Sequence, residues 1–164
     1  MKYYLKPYSS AKTAFTVLDS SGCSAYVVNV ENSALRRHFL LVDGKGDIAS
    51  KIMCIRISSA FQYTVSANKK HALVTVDVKS QSQPVKIKGV RWRFRGDVLT
   101  RSFDITDGSG KIIMTHGRCW DMGGICYAVD IHNDMCADAE LCLSIAIAVD
   151  CTDLGCVTAP IPTG

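Results

Sequence analysis

The sequence predicts a mainly β protein, a sandwich or barrel of ten to twelve short strands followed by one apolar segment, and three observations carry that expectation. From Lys12 to about Ile131, stretches rich in Val, Ile, Thr, Phe and Tyr alternate with turn residues every eight to twelve positions. The chain also aligns with itself without a gap when shifted by 64 residues. Beyond the repeat lies ELCLSIAIAVD, Glu140 to Asp150, which offers apolar side chains on almost every face.

The strands are delimited by legible hairpin turns: Asp19-Ser-Ser-Gly22, Asp43-Gly-Lys-Gly46, Asn68-Lys-Lys and Asp107-Gly-Ser-Gly110. Glycine supplies the positive φ that such turns require. Helical periodicity is absent across this region. The internal repeat runs from Tyr26 to Val65 and places Leu35 on Leu99, Arg37 on Arg101 and Phe39 on Phe103. Asp43, Gly44, Gly46 and Ile48 fall on Asp107, Gly108, Gly110 and Ile112, and Tyr63 and Val65 on Tyr127 and Val129. Average composition predicts about two or three such identities by chance, so the β region reads as a duplicated unit with one D-G-x-G hairpin per copy.

The copies part company where they end. Val65 leads into more strand, whereas Val129 leads through His132-Asn133-Asp134 into the apolar run. Asn133 or Asp134 is the expected N-cap, and Asp138 and Glu140 suit the positive end of a helix, while Asp150 and Asp153 do not suit its negative end. Periodicity alone leaves a doubly buried strand open for LCLSIAIAV. Its alanines and leucines favour the helix.

Composition narrows the class. A chain of 164 residues with 48% hydrophobic and 21% charged residues is a globular domain rather than a disordered segment. A helix from Leu141 to Val149 would rise about 13 Å, under half the hydrocarbon thickness of a bilayer, so no transmembrane segment is expected. The first fifteen residues carry no continuous apolar block of the secretory kind, which makes the cytoplasm the expected compartment. The eight cysteines, several inside apolar stretches such as Ile52-Met53-Cys54-Ile55, are expected to be reduced core residues. A net charge of +4 leaves any preference for anionic partners to the placement of the charges.

The order of several pieces resembles the LURP-one-related family, which shares the tubby C-terminal-like fold with tubby proteins and phospholipid scramblases. The pieces are Phe39-Leu-Leu-Val-Asp-Gly-Lys-Gly-Asp-Ile-Ala, Phe61-Gln-Tyr-Thr-Val, Trp92-Arg-Phe-Arg-Gly-Asp, Ser102-Phe-Asp-Ile-Thr-Asp-Gly-Ser-Gly-Lys-Ile, Tyr127-Ala-Val-Asp-Ile and the run ending at Asp150. The resemblance implies a closed antiparallel β-barrel of about twelve strands enclosing a hydrophobic C-terminal helix, with Leu141, Leu143, Ile145, Ile147 and Val149 at its centre. Such a barrel is too wide to be filled by its own inward side chains, which makes a central helix physically coherent. One domain over residues 1–150 is implied, leaving CTDLGCVTAPIPTG, residues 151–164, as an exposed tail.

The most conspicuous charge pattern is PVKIKGVRWRFRGDV, Pro84 to Val98. As a strand it sets Arg91, Arg93 and Arg95 on one face and Val90, Trp92 and Phe94 on the other. Lys86 and Lys88 fall in the opposite phase, so Gly89 is expected to mark a turn or bulge, and Arg101 to add to the same outer surface. Arginine forks match phosphate oxygens, and tubby domains bind phosphoinositides through basic residues. Lys86, Lys88, Arg91, Arg93, Arg95 and Arg101 are therefore the candidate site for an anionic phospholipid headgroup or phosphorylated ligand. The competing reading is the ordinary polar exterior of a barrel. Trp92 and Phe94 are expected to face the core, which argues against nucleic acid.

Other patterns carry less. His116-x2-Cys119, Cys126 and His132-x3-Cys136 include no C-x2-C knuckle, so no metal is expected. Gly44-Lys-Gly-Asp-Ile-Ala49 fits a dinucleotide fingerprint but falls in a hairpin instead of opening a helix, and no cofactor follows. Asp104, Asp107, His116 and Asp121 have the chemistry for catalysis, yet hairpin carboxylates are usually turn formers, and no catalytic residue is nominated. The expected function is a non-enzymatic barrel binding an anionic headgroup, peripherally at a membrane. The alternatives kept open are a small-molecule-binding protein or enzyme using a cavity at a barrel end, and a structural interaction module.

Overall fold

Residues with β-branched or aromatic side chains, alternating in and out at a period of two, build the wall of the molecule. The computed structural model describes residues 1–8, 10 and 12–152. Its strands are β1 (Lys2–Pro7), β2 (Thr13–Leu18), β3 (Ser24–Asn32), β4 (Arg37–Asp43), β5 (Ile48–Ile57), β6 (Ala60–Ala67), β7 (Lys70–Val76), β8 (Val85–Lys88), β9 (Arg93–Asp97), β10 (Ser102–Thr106), β11 (Ile112–Asp121) and β12 (Gly124–Ile131). They form one twelve-stranded sheet in the order β8-β7-β6-β5-β4-β3-β2-β1-β12-β11-β10-β9. The first strand pairs antiparallel with the last, Lys2 opposite Asp130 and Leu5 opposite Tyr127, which joins the two halves at the middle of a near-closed barrel with β8 and β9 at its two ends.

The duplication is visible in three dimensions. Shifted by 64 residues, β5 falls on β11 and β6 on β12 residue for residue, and β4 covers β10. The ladder slips between Leu41 and Val42 in the first copy and between Ile105 and Thr106, the matching residues, in the second. In both D-G-x-G hairpins the aspartate carboxylate accepts two backbone amides, from Lys45 (2.9 Å) and Asp47 (3.0 Å) at Asp43 and from Ser109 (2.8 Å) and Lys111 (3.0 Å) at Asp107. Gly46 and Gly110 close these turns at φ of 87° and 88°, a region that side-chain-bearing residues rarely enter. β4, β5 and β6 thus share one plan with β10, β11 and β12.

A short 3-10 helix (Asn133–Asp138) leads into α1 (Ala139–Asp150). Every residue of α1 except Glu140 is buried, with Leu143, Ile145, Ala146, Ile147 and Ala148 at 0% exposure. The helix rather than a strand forms because a segment enclosed by the barrel meets only inward side chains, so its amides and carbonyls must satisfy one another. It packs chiefly on β5 and β6. Polar anchors fix its height: the Ser144 and Ser50 hydroxyls lie 2.6 Å apart, Thr152 Oγ1 lies 2.7 Å from the Tyr63 hydroxyl, and Tyr26 donates to Glu140 at 2.9 Å.

Three expectations are corrected. Asp138, not Asn133 or Asp134, is the residue that precedes α1, because the 3-10 turn uses up the intervening positions, and Asp138 pairs with Lys70 at 2.8 Å. Cys151 and Thr152 are buried at 1% and 3%, so they close the helix rather than begin an exposed tail; the remainder of that tail, residues 153–164, lies outside the described residues. Cys119 and Cys126 face each other across the β11–β12 hairpin as a disulfide, instead of standing as reduced core thiols. Cys54, Cys142 and Cys151 are buried thiols, and burial pushes that of Cys142 up to about 12. Among the described residues, no helix is long and apolar enough to cross a membrane.

Candidate anion-binding seam

The basic stretch lands where the sheet stops. β8 ends at Lys88, and Gly89 turns the chain at φ of 92°, where an added Cβ would lie 2.5 Å from the His71 carbonyl oxygen. A left-handed glycine pressed on a neighbouring backbone is what carries the chain out of β8 and across to β9. Within these strands the expected alternation holds: Lys86, Lys88, Arg93 and Arg95 are exposed, while Ile87, Trp92 and Phe94 are half-buried.

Because β8 and β9 are the two ends of the sheet, a groove of about 930 Å³ runs between them. Lys86, Lys88, Arg93 and Arg95 line it together with Ile87, Trp92 and Phe94, so cations edge an apolar floor. Trp92 and Phe94 therefore serve the groove as well as the core, against which they pack. Arg95 is held by Asp104 at 3.1 Å, an exposed pair of small energetic weight that leaves its guanidinium oriented. A four-cation groove of this size fits one or two phosphate groups on a larger ligand better than it fits a bare ion.

Two members of the expected cluster are elsewhere. Arg91 lies against the β10–β11 turn, its Cβ near Gly108, and does not line the groove. Arg101, expected on the outer surface, is buried at 7% exposure: the turn before β10 puts it at φ of 58°, which inverts its side chain into the barrel. There its guanidinium sits 4.9 Å from the centre of the Tyr127 ring and 3.9 Å from Asp150 Oδ1.

Arg101 belongs to a buried polar cluster that the sequence did not suggest. His116 Nδ1 donates to the Arg101 carbonyl at 2.6 Å, and its Nε2 lies 2.9 Å from Asp150 Oδ2. The His116 ring is stacked on Phe103 at 4.4 Å. The cluster accounts for Asp150, which opposes the dipole at the end of α1 and needs a compensating cation beside it. It also separates His116 from any joint site with Asp107 and Asp121, whose carboxylates are turn formers held below their usual range chiefly by the Ser109 hydroxyl and by Lys6. Among the described residues no three His, Cys, Asp or Glu side chains gather as metal ligands would.

Fold and seam together define an internally duplicated up-and-down β-barrel threaded by one apolar helix. The family model described as LURP-one-related matches residues 1–150, and the chain belongs to that family. Among solved structures it is similar to the X-ray structure of an Arabidopsis thaliana protein, at 17% identity over 91% of this chain and 90% of that one, with a TM-score of 0.49. No curated protein matches it.

Proposed function

We propose that this barrel is a non-catalytic binding protein for an anionic membrane headgroup, a phosphoinositide by preference, held in the seam between β8 and β9. The observation that carries the reading is the convergence of Lys86, Lys88, Arg93 and Arg95 on one groove where the ladder is interrupted. Charge, size and the apolar floor of Trp92, Phe94 and Ile87 all support a ligand with phosphate and hydrocarbon parts. Arg91 and Arg101 are left out of the site.

Vesicle sedimentation tests the reading directly. Binding should favour phosphoinositide-containing over neutral vesicles and weaken as salt rises. At about 1 kcal/mol per cation near an anionic surface, the triple change Lys86→Ala, Lys88→Ala, Arg93→Ala should cost on the order of a hundredfold in affinity. Equal binding to neutral and anionic vesicles, or no loss in the triple variant, would sink it. The same groove has the volume of a small-molecule site, so a soluble apolar ligand that competes with vesicles would favour the carrier reading instead.

A further inference from the structure

The connections from each odd-numbered strand to the next even-numbered one all lie at one end of an up-and-down barrel, and those from even to odd lie at the other. At the first end the turn tips are apolar. Tyr8 (58% exposed), Leu35 (88%), Ile57 (52%), Leu99 (72%), Trp120 (72%) and Met122 (108%) stand on five separate turns. Ile48 and Ile112, at 49% and 39%, are the large apolar side chains exposed at the opposite end among the described residues.

Charge divides less sharply. The opposite end has turns built on Asp19, Asp43 and Asp107, with Asp134, Asp138 and Glu140 at the entrance to the helix, but Lys45, Lys69, Lys70 and Lys111 stand among them, Lys70 paired with Asp138 and Lys111 with Asp134. Around the apolar end, the exposed cations Lys12, Arg36, Arg56, Lys79 and Arg118 sit within a few residues of the tips. The acids there are fewer, and one of them, Asp121, is paired with Lys6. One rim is thus apolar with more cations than acids, while the other is polar and carries charges of both signs.

We infer that the rim bearing Trp120 and Met122 is a membrane-docking surface, seated on a bilayer leaflet that carries anionic lipid. Twelve strands at about 4.8 Å spacing give a ring roughly 20 Å across. Apolar points spread round such a ring do not make the contiguous pocket that a protein anchor needs. They suit a flat fluid surface, into which each tip enters independently. Tryptophan favours the headgroup boundary, methionine and leucine reach below it, and the cations behind them meet anionic headgroups. The β11–β12 tip stands on the Cys119–Cys126 disulfide, which fixes the hairpin that carries the tryptophan. Val98 and Leu99 also line the mouth of the seam, so docking by this rim would bring the groove to headgroup level. The inference rests on the exposure of the rim and stands apart from the ligand proposed for the seam.

The test uses the full chain. In a Trp92→Phe background Trp120 is the remaining tryptophan, and its emission should shift to the blue on adding phosphatidylserine vesicles and be quenched by lipids brominated on their acyl chains. The double change Trp120→Ser, Met122→Ser removes exposed side chains, so the melting temperature should hold while vesicle affinity falls by at least about tenfold. Absence of a blue shift and of quenching, or wild-type affinity in the double variant, would overturn the inference. So would a protein that buries Trp120 by self-association without lipid. Loss of binding in the Lys86, Lys88, Arg93 triple variant alone would leave the seam reading standing and remove this one; loss in the rim variant alone would do the reverse.

Discussion

β2 and β3 pair along their length, Thr13 opposite Asn29 and Phe15 opposite Val28, while β8 and β9, which hold the corresponding places in the strand order of the second half, are the two ends of the sheet. The β4–β5 and β10–β11 ladders agree down to the position of a slip. The local chemistry accounts for the difference. β2 and β3 are joined by the tight Asp19-Ser-Ser-Gly22 turn, whose carboxylate accepts the amides of Ser21 and Cys23 at 2.9 and 3.0 Å. β8 and β9 are joined through Gly89 with no such aspartate; they are four and five residues long against six and nine, and their exposed positions are cationic. Short edge strands that carry lysine and arginine resist pairing with one another or with another chain. A duplicated scaffold has thereby been opened at one place, and the groove lies there.

Four experiments test the difference between the two halves. The largest effect belongs to the element both copies share: Ile145→Asp places a charge at a site with 0% exposure and should abolish cooperative unfolding, whereas Ile145→Ala should cost about 2–5 kcal/mol by urea denaturation. A mutant aspartate that melted like wild type would remove α1 from the centre. Next come the repeat-related arginines. Arg101→Ala leaves Asp150 buried beside His116 and should cost about 3–5 kcal/mol, while Arg37→Ala, which among its interactions loses a donation to the exposed Asn32, should cost less. Equal losses would mean that the copies are not differentiated there.

Hydrogen exchange reads the seam itself. Amides in β2 and β3 should exchange slowly, and those in β8 and β9 that face the groove should exchange orders of magnitude faster; uniform protection would close the barrel. The smallest effect is the acid response of the turns. Asp19 and Asp107 are held below the ordinary 3.8 chiefly by hydrogen bonds from the Ser21 and Ser109 hydroxyls. A depressed folded-state pKa contributes stability that is present above the unfolded value and lost as pH falls through the folded one. The melting temperature of Asp19→Asn or Asp107→Asn should therefore drop less between about pH 5 and pH 2.5 than that of wild type.

Much of the fold was readable because its signals are local. Asp-x-x-Gly turns, period-two alternation and the 64-residue repeat depend on neighbours in sequence, and each led to the element observed. The candidate site was readable in part for the same reason: alternation put Lys86, Lys88, Arg93 and Arg95 outward and Gly89 at the bend. Arg101 was misplaced because its direction depends on one left-handed φ, which no alternation rule contains. The disulfide had a faint signal, since Cys119 and Cys126 flank Asp121-Met-Gly-Gly124 at the same remove and a hairpin sets such residues opposite each other. His116 with Asp150 had none, being 34 residues apart on a strand and a helix whose meeting is tertiary.

The position of α1 has a kinetic consequence. It is the core around which the barrel is wrapped, yet it follows all twelve strands in the chain, and the pair that joins the two halves of the sheet, β1 with β12, unites the first strand with the last. Until Ala139–Asp150 has been synthesised, the strands have turns and partners but little to enclose. Nascent chains should therefore collect as sheet without a filled interior, and a stall anywhere before Asp150 would release an aggregation-prone wall. The strands of this barrel wait on the segment that fills them.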